Sequence, residues 1–116
     1  TLPQVGALYG LQHHDELVAP IVQAFQERLD YLQKELPKID WLAVSPVQGS
    51  IYVFADIRKT GLGSVEFADQ LLKKAGILVV PGLAFGKCGE GFVRIAATQP
   101  LAALKEAVAK MKQLTW

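Results

Sequence analysis

From Val18 the apolar residues recur at alternating four- and three-residue spacing, through Val22, Phe25, Leu29 and Leu32 to Leu36. That pattern is one face of an amphipathic helix. Asp15 is placed as its N-cap. Pro20 must fall in the early turns or mark the true start, because it has no backbone donor to give. Pro37 ends the helix by disfavouring helical geometry at Leu36. Two strands follow, Trp41–Val44 and Ser50–Ile57, separated by a turn over Pro46–Gly49. The second is rich in β-branched and aromatic residues, so both of its faces are expected to be covered. Ser64 is read as the cap of a short helix with Ala68, Leu71, Leu72 and Ala75 turned inward, closed by Gly76. Ile77–Val80 is a short apolar strand that Pro81 and Gly82 stop. In the last strand, Phe92–Ala97, alternation puts Val93, Ile95 and Ala97 on one face and Phe92, Arg94 and Ala96 on the other. After Pro100, a stripe of Leu101, Leu104, Val108 and Met111 predicts a final helix. Residues 1–12 are weakly periodic and broken by Gly6 and Gly10, and read as the tail of a helix whose support lies elsewhere.

The predicted order is α-β-β-α-β-β-α, a two-layer α+β domain with a small sheet and helices on one face. Its 116 residues suit one domain with a real core. Apolar residues make up 51% of the chain, high for a freely soluble small domain. Some of that apolar surface is therefore expected to lie against something outside the chain. Twelve Lys+Arg against eleven Asp+Glu leave a net charge of +1. No basic stripe emerges, so nucleic acid is not expected as a partner. The single cysteine, Cys88, excludes an internal disulfide and a multi-cysteine metal site, which fits a reducing compartment such as the cytoplasm. The longest apolar run, Ala75–Phe85, is too short to span a membrane, and no signal-peptide pattern opens the chain. The chain starts at Thr1 rather than Met, as expected of a trimmed or internal piece.

Several patterns imitate chemistry. The run Gly82 to Cys88 resembles a phosphate loop, but three residues separate Gly82 from Gly86 where four are required, and Cys88 stands where a hydroxyl should. Gly61 and Gly63 form half a dinucleotide fingerprint without the strand-to-helix turn it needs. His13 and His14 are adjacent on a polar, extended stretch, where side chains point apart, so they read as solvated loop residues. Cys88 has no histidine nearby in sequence and reads as an ordinary thiol. Lys73 and Lys74 belong to a solvated helix face, and Trp41, Tyr52 and Phe54 read as core aromatics.

Arg94 is different. It interrupts an apolar strand, where a guanidinium is costly unless it meets an anion. On the strand alone, an arginine at a sheet edge paired with a surface carboxylate is the more economical reading. The other is a fork of donors waiting for a ligand carboxylate or phosphate.

Larger blocks of sequence bear on that choice. Pro46-Val47-Gln48-Gly49-Ser50-Ile51-Tyr52-Val53-Phe54 is followed by Glu66-Phe67-Ala68 with Leu71-Leu72. Then come Val80-Pro81-Gly82-Leu83-Ala84-Phe85-Gly86 and Gly89-Glu90-Gly91-Phe92-Val93-Arg94-Ile95-Ala96. In this order, over roughly residues 15–114, the chain resembles the C-terminal small domain of class I/II aminotransferases, the fold-type I enzymes that use pyridoxal phosphate.

The resemblance implies that residues 1–14 are the remnant of a segment leading in from a large domain, and that residues 15–116 are the small domain. It implies that Arg94 binds the α-carboxylate of an amino-acid or 2-oxo-acid substrate, with Gly82, Phe85 and Gly86 as the supporting loop. Glycines at 82, 86, 89 and 91 would let that loop turn closely and adjust on closure. The cofactor lysine, in a serine–lysine segment of the family, has no counterpart here, so no catalytic, cofactor-binding or metal-binding residue is assigned. The resemblance thus implies a piece, inactive alone, of an enzyme that transfers an amino group. The whole enzyme would carry pyridoxal phosphate and pair as a homodimer. Two alternatives stay open on function: another fold-type I enzyme, a lyase or synthase, and a free-standing small-molecule-binding or regulatory α+β module. A purely structural interaction domain, suggested by the apolar composition, is a third.

Overall fold

A computed structural model describes all residues 1–116. Four helices, α1 (Leu2–Gln12), α2 (His14–Glu35), α3 (Ser64–Ala75) and α4 (Leu101–Met111), accompany four strands. The strands are β1 (Ala43–Val44), β2 (Tyr52–Asp56), β3 (Val80–Pro81) and β4 (Phe92–Ala96). They form one antiparallel sheet in the order β1-β2-β4-β3. The fold is a small α+β domain, and residues 1–12, read from sequence as the tail of a helix and left out of the predicted order, contribute a helix of their own.

That helix is α1. Its first turn is held by Gln4, whose Oε1 accepts from the Thr1 amine at 3.1 Å and the Thr1 hydroxyl at 2.9 Å. None of its residues is buried. The chain breaks only at His13, whose ring stacks on Tyr9 at 3.9 Å before α2 begins. The histidines are therefore at a helix junction and not on an extended loop. Asp15 lies inside the first turn of α2 and does not cap it, and Pro20 sits within the helix. Pro20 leaves the Glu16 carbonyl without its usual intrahelical donor.

Only the second half of the α2 stripe reaches the core. Leu29, Leu32 and Leu36 are buried, whereas Val22 stays exposed and Phe25 sits at the core margin. They meet Phe67 and Leu71 of α3, Leu104, Val108 and Met111 of α4, and Val53, Ala55 and Val93 on one face of the sheet. Leu72, expected inward, is exposed. Burying such aliphatic side chains contributes about 1.5–3 kcal/mol each, which is what holds three helices on that face. Trp116 closes the layer, with its ring centroid 4.7 Å from Phe67 and 5.3 Å from Trp41. Glu35 joins α2 to the far end of the chain through Lys112 at 2.9 Å and also pairs with Lys38 at 2.6 Å. Those two ammonium groups hold its carboxyl down at about 2, well below the usual carboxylate range.

All four strand limits shift, β2 to Tyr52–Asp56 and β4 to Phe92–Ala96 by trimming at their ends. β1 is shorter than expected, and β3 takes Val80 with Pro81, because Val80 and Pro81 are the residues that register with Arg94 and Val93. Pro81 can stand there because β3 is an edge strand. Helix α3 is capped by Gly63, not Ser64, and ends at Gly76 with φ 68°. No helix of the chain is long and apolar enough to cross a membrane.

Candidate functional site

One face of the sheet carries no helix. Alternation along β2 and β4 sends Val53, Ala55 and Val93 into the core and leaves Tyr52, Phe54, Phe92 and Arg94 on the other side. Phe54 is 42% exposed. The expectation that β2 is covered on both faces therefore fails, and Phe54 is not a core residue.

Arg94 stands in the middle of this open face. β4 is an inner strand, with Phe54 of β2 opposite Arg94 on one side and Val80 of β3 on the other. The guanidinium carbon lies 4.2 Å from the Tyr52 ring centroid and 5.0 Å from that of Phe85. Its Nε is buried and has no hydrogen-bond partner. None of the ion pairs of the chain includes Arg94. An edge arginine satisfied by a surface carboxylate is thus not what the fold contains. A donor fork is instead held against two aromatic rings, an arrangement that suits a cation electrostatically and uses none of its N–H groups.

The other arginine near this face, Arg58, is already engaged. Its Nε and Nη2 reach both oxygens of Asp56, at 2.6–3.1 Å, and its guanidinium lies 5.3 Å from the Phe92 ring. This pairing holds the Asp56 carboxyl below its ordinary range. Phe92 and Phe54 stack in parallel at 5.2 Å, and Phe85 meets Phe54 edge-on at 6.4 Å. The face is one aromatic tract with a single unpaired cation.

The loop from Gly82 to Gly91 sets Phe85 in place. A Cβ on Gly82 would come within 2.0 Å of the Gly89 carbonyl oxygen, and one on Gly89 within 2.1 Å of the Gly82 oxygen. The two ends of the loop touch backbone to backbone, which only glycine allows. Gly86, at φ 119°, turns the chain back just after Phe85. Ser64 and Glu90 fasten the base of the loop: Glu90 Oε1 accepts from the Ser64 N–H at 2.6 Å, and Glu90 Oε2 from the Ser64 hydroxyl at 2.9 Å.

The structure brings Gly82, Phe85, Gly86 and Arg94 into one region. It adds Tyr52, Ser64 and Glu90, which sequence reasoning did not assign to it. Tyr52 could have been found from its even spacing with Phe54 on a strand facing Arg94. Ser64 and Glu90 carry no such signal, because they are 26 residues apart in sequence. Cys88 is exposed on the loop. Nowhere do three or more His, Cys, Asp or Glu side chains gather as a metal site. The open-face positions of β2 and β4 hold no lysine.

The family described as aminotransferase class I and II matches residues 4–111. An LL-diaminopimelate aminotransferase of Gloeobacter violaceus is 38% identical over 106 residues, covering 91% of this chain and 26% of the relative. The crystal structure of an aromatic aminotransferase from Pyrococcus horikoshii superimposes with a TM-score of 0.81 at 37% identity, over 84% of this chain and 26% of that one. A putative pyridoxal-phosphate-dependent β-cystathionase of Corynebacterium diphtheriae gives 0.80 at 25% identity, over 90% and 28%. The chain spans about a quarter of the length of the relatives it matches.

Proposed function

Because the chain belongs to the class I and II aminotransferase family, we propose that it is the C-terminal small domain of a pyridoxal-phosphate-dependent aminotransferase, in which Arg94 grips the substrate α-carboxylate. One observation carries this reading. Arg94 stands on an inner strand with its guanidinium against the Tyr52 and Phe85 rings, in no ion pair, and with a buried Nε that has no partner. A carboxylate supplies what this site lacks, since it accepts two parallel N–H bonds from a planar guanidinium. Such a charge-assisted contact contributes about 1.5–3 kcal/mol and fixes orientation as well as position. The substrates are then an amino acid and a 2-oxo acid, which share that carboxylate.

The cofactor itself does not fit this chain alone. In pyridoxal-phosphate chemistry a lysine anchors the group, and the ring acts as electron sink once it is bound. The open face offers one unpaired cation, Arg94, and its positions on β2 and β4 hold no lysine. We assign the cofactor, and all chemistry on it, to the missing large domain, and the isolated chain is inactive in this reading.

The N-terminal helices support a large-domain partner. Leu2, Val5, Leu8 and Leu11 of α1 and Leu17, Ile21 and Val22 of α2 are all exposed. A helix apolar around its circumference is normally buried. Residues 1–14 then lead in from the large domain, residues 15–116 form the small domain, and the whole enzyme pairs as a homodimer. The likeness to a β-cystathionase structure favours one second reading, a lyase of the same fold. Assay of the whole protein for amino transfer with Arg94→Lys alongside tests the proposal, and unchanged kcat/KM for amino-acid substrates would refute the clamp.

A further inference from the structure

The two rings around Arg94 are held by different means. Tyr52 lies on β2, paired along its length with β4. Phe85 lies on the loop, and the loop depends on its anchors. Ser64, the first residue of α3, is wholly buried. Its N–H and hydroxyl both donate to the Glu90 carboxylate, and its Oγ also accepts from the Leu83 N–H at 3.4 Å. One serine therefore ties the start of the loop, two residues before Phe85, and its end, four residues before Arg94, to a single helix terminus. A carboxylate is favoured there by the helix dipole. Next to it, the Gly91 carbonyl accepts from the Ile57 N–H at 2.9 Å, which pins the same corner to the end of β2. Between these anchors the tip is held by its own turns, Gly86 N–H to Leu83 O at 3.0 Å and Gly89 N–H to Gly86 O at 2.9 Å.

We propose that Ser64 and Glu90 are positioning residues that hold Phe85 against Arg94 and thereby set the grip on the substrate carboxylate, an inference that rests on the reading of Arg94 above. Neither residue needs to touch substrate. With the clasp cut, the Gly82–Gly89 contact still closes the loop, but the tip is free to tilt. Arg94 then keeps its contact with Tyr52 and loses the one with the Phe85 ring. The consequence is specific: recognition of the carboxylate weakens, and recognition of the rest of the substrate does not.

The test uses the whole protein. Single-turnover rates are measured for L-alanine against ethylamine and L-phenylalanine against phenethylamine, each pair differing only by the carboxylate. The expected result is that Glu90→Ala and Ser64→Ala each lower the preference for the amino acid roughly tenfold, with a raised half-saturating amino-acid concentration and unchanged reaction of the amine. Glu90→Gln, which keeps an acceptor oxygen for Ser64, restores most of the preference and serves if the alanine variants fail to fold. A parallel fall for acid and amine would mark the clasp as merely structural and overturn the proposal. So would an unchanged preference in all three variants while Arg94→Lys abolishes it. If Arg94→Lys itself leaves the preference intact, the assignment of Arg94 fails instead.

Discussion

Tyr52 lies beneath Arg94, with its ring centroid 4.2 Å from the guanidinium carbon, and no side-chain hydrogen bond competes for the phenol ring. The ring face is what this contact uses, because a cation is drawn to the quadrupole and not to the hydroxyl. Tyr52→Phe should therefore leave binding of a carboxylate competitor such as a 2-oxo acid nearly unchanged. Tyr52→Leu should weaken it by about 0.5–2 kcal/mol. Titration calorimetry on the whole protein reads both, and equal losses in the two variants would show that the hydroxyl carries the effect.

Gly82 and Gly86 should respond differently to alanine. At Gly82 the new methyl group meets backbone oxygens of Gly89 at 2.0 Å and Phe92 at 2.7 Å, and neither can swing aside. Overpacking of this kind costs typically 1–3 kcal/mol and occasionally more. Gly86 has open space around it, so only its φ of 119° opposes a side chain. Strain at such a backbone conformation costs of order 1–3 kcal/mol. Chemical denaturation should show Gly82→Ala as the more damaging of the two, and the reverse order would contradict the loop geometry.

Acid stability should carry the signature of Glu35. Its carboxyl is held at about 2 by Lys38 and Lys112, below the ordinary value of 4.5. A group whose pKa falls on folding adds stability above its unfolded value and loses it as pH drops through the folded one. Asp56 and Glu90 shift the same way. Unfolding midpoints should therefore fall between pH 4.5 and 2. Glu35→Gln should flatten that limb while changing little of the slope above it, and an unaltered acid limb would show that the triad adds nothing. The lysines are well exposed, so added salt should shrink the effect.

The cofactor assignment has its own check. Pyridoxal phosphate added to the isolated chain and reduced should label its surface lysines weakly and without preference. A stoichiometric adduct at one lysine, read by mass spectrometry, would place cofactor chemistry in this chain and contradict the reading.

Much of this site is visible in the sequence because strand alternation is local. The spacing of Val93, Ile95 and Ala97 against Phe92, Arg94 and Ala96 already sorts β4 into two faces. What alternation does not reveal is that Arg94 lacks a carboxylate, since that depends on the order β1-β2-β4-β3, a matter of long-range pairing. Phe54 reads as core for the same reason: hydrophobicity marks a residue that wants cover, and within this chain no helix supplies it on that face. The first half of α2 repeats that lesson, with Val22 on a faultless apolar stripe and still exposed. Ser64 has the composition of a cap, yet its hydroxyl turns to Glu90, and only the folded loop brings the two together.

Arg94 as the carboxylate clamp is tested most directly by comparing an amino acid with its decarboxylated amine in the whole protein, wild type against Arg94→Lys. A point charge cannot reproduce the paired donors of the fork. The account predicts that kcat/KM for the amino acid falls roughly 10- to 150-fold, the equivalent of about 1.5–3 kcal/mol, while the amine is unaffected. Equal kcat/KM for the amino acid in the two proteins would contradict it.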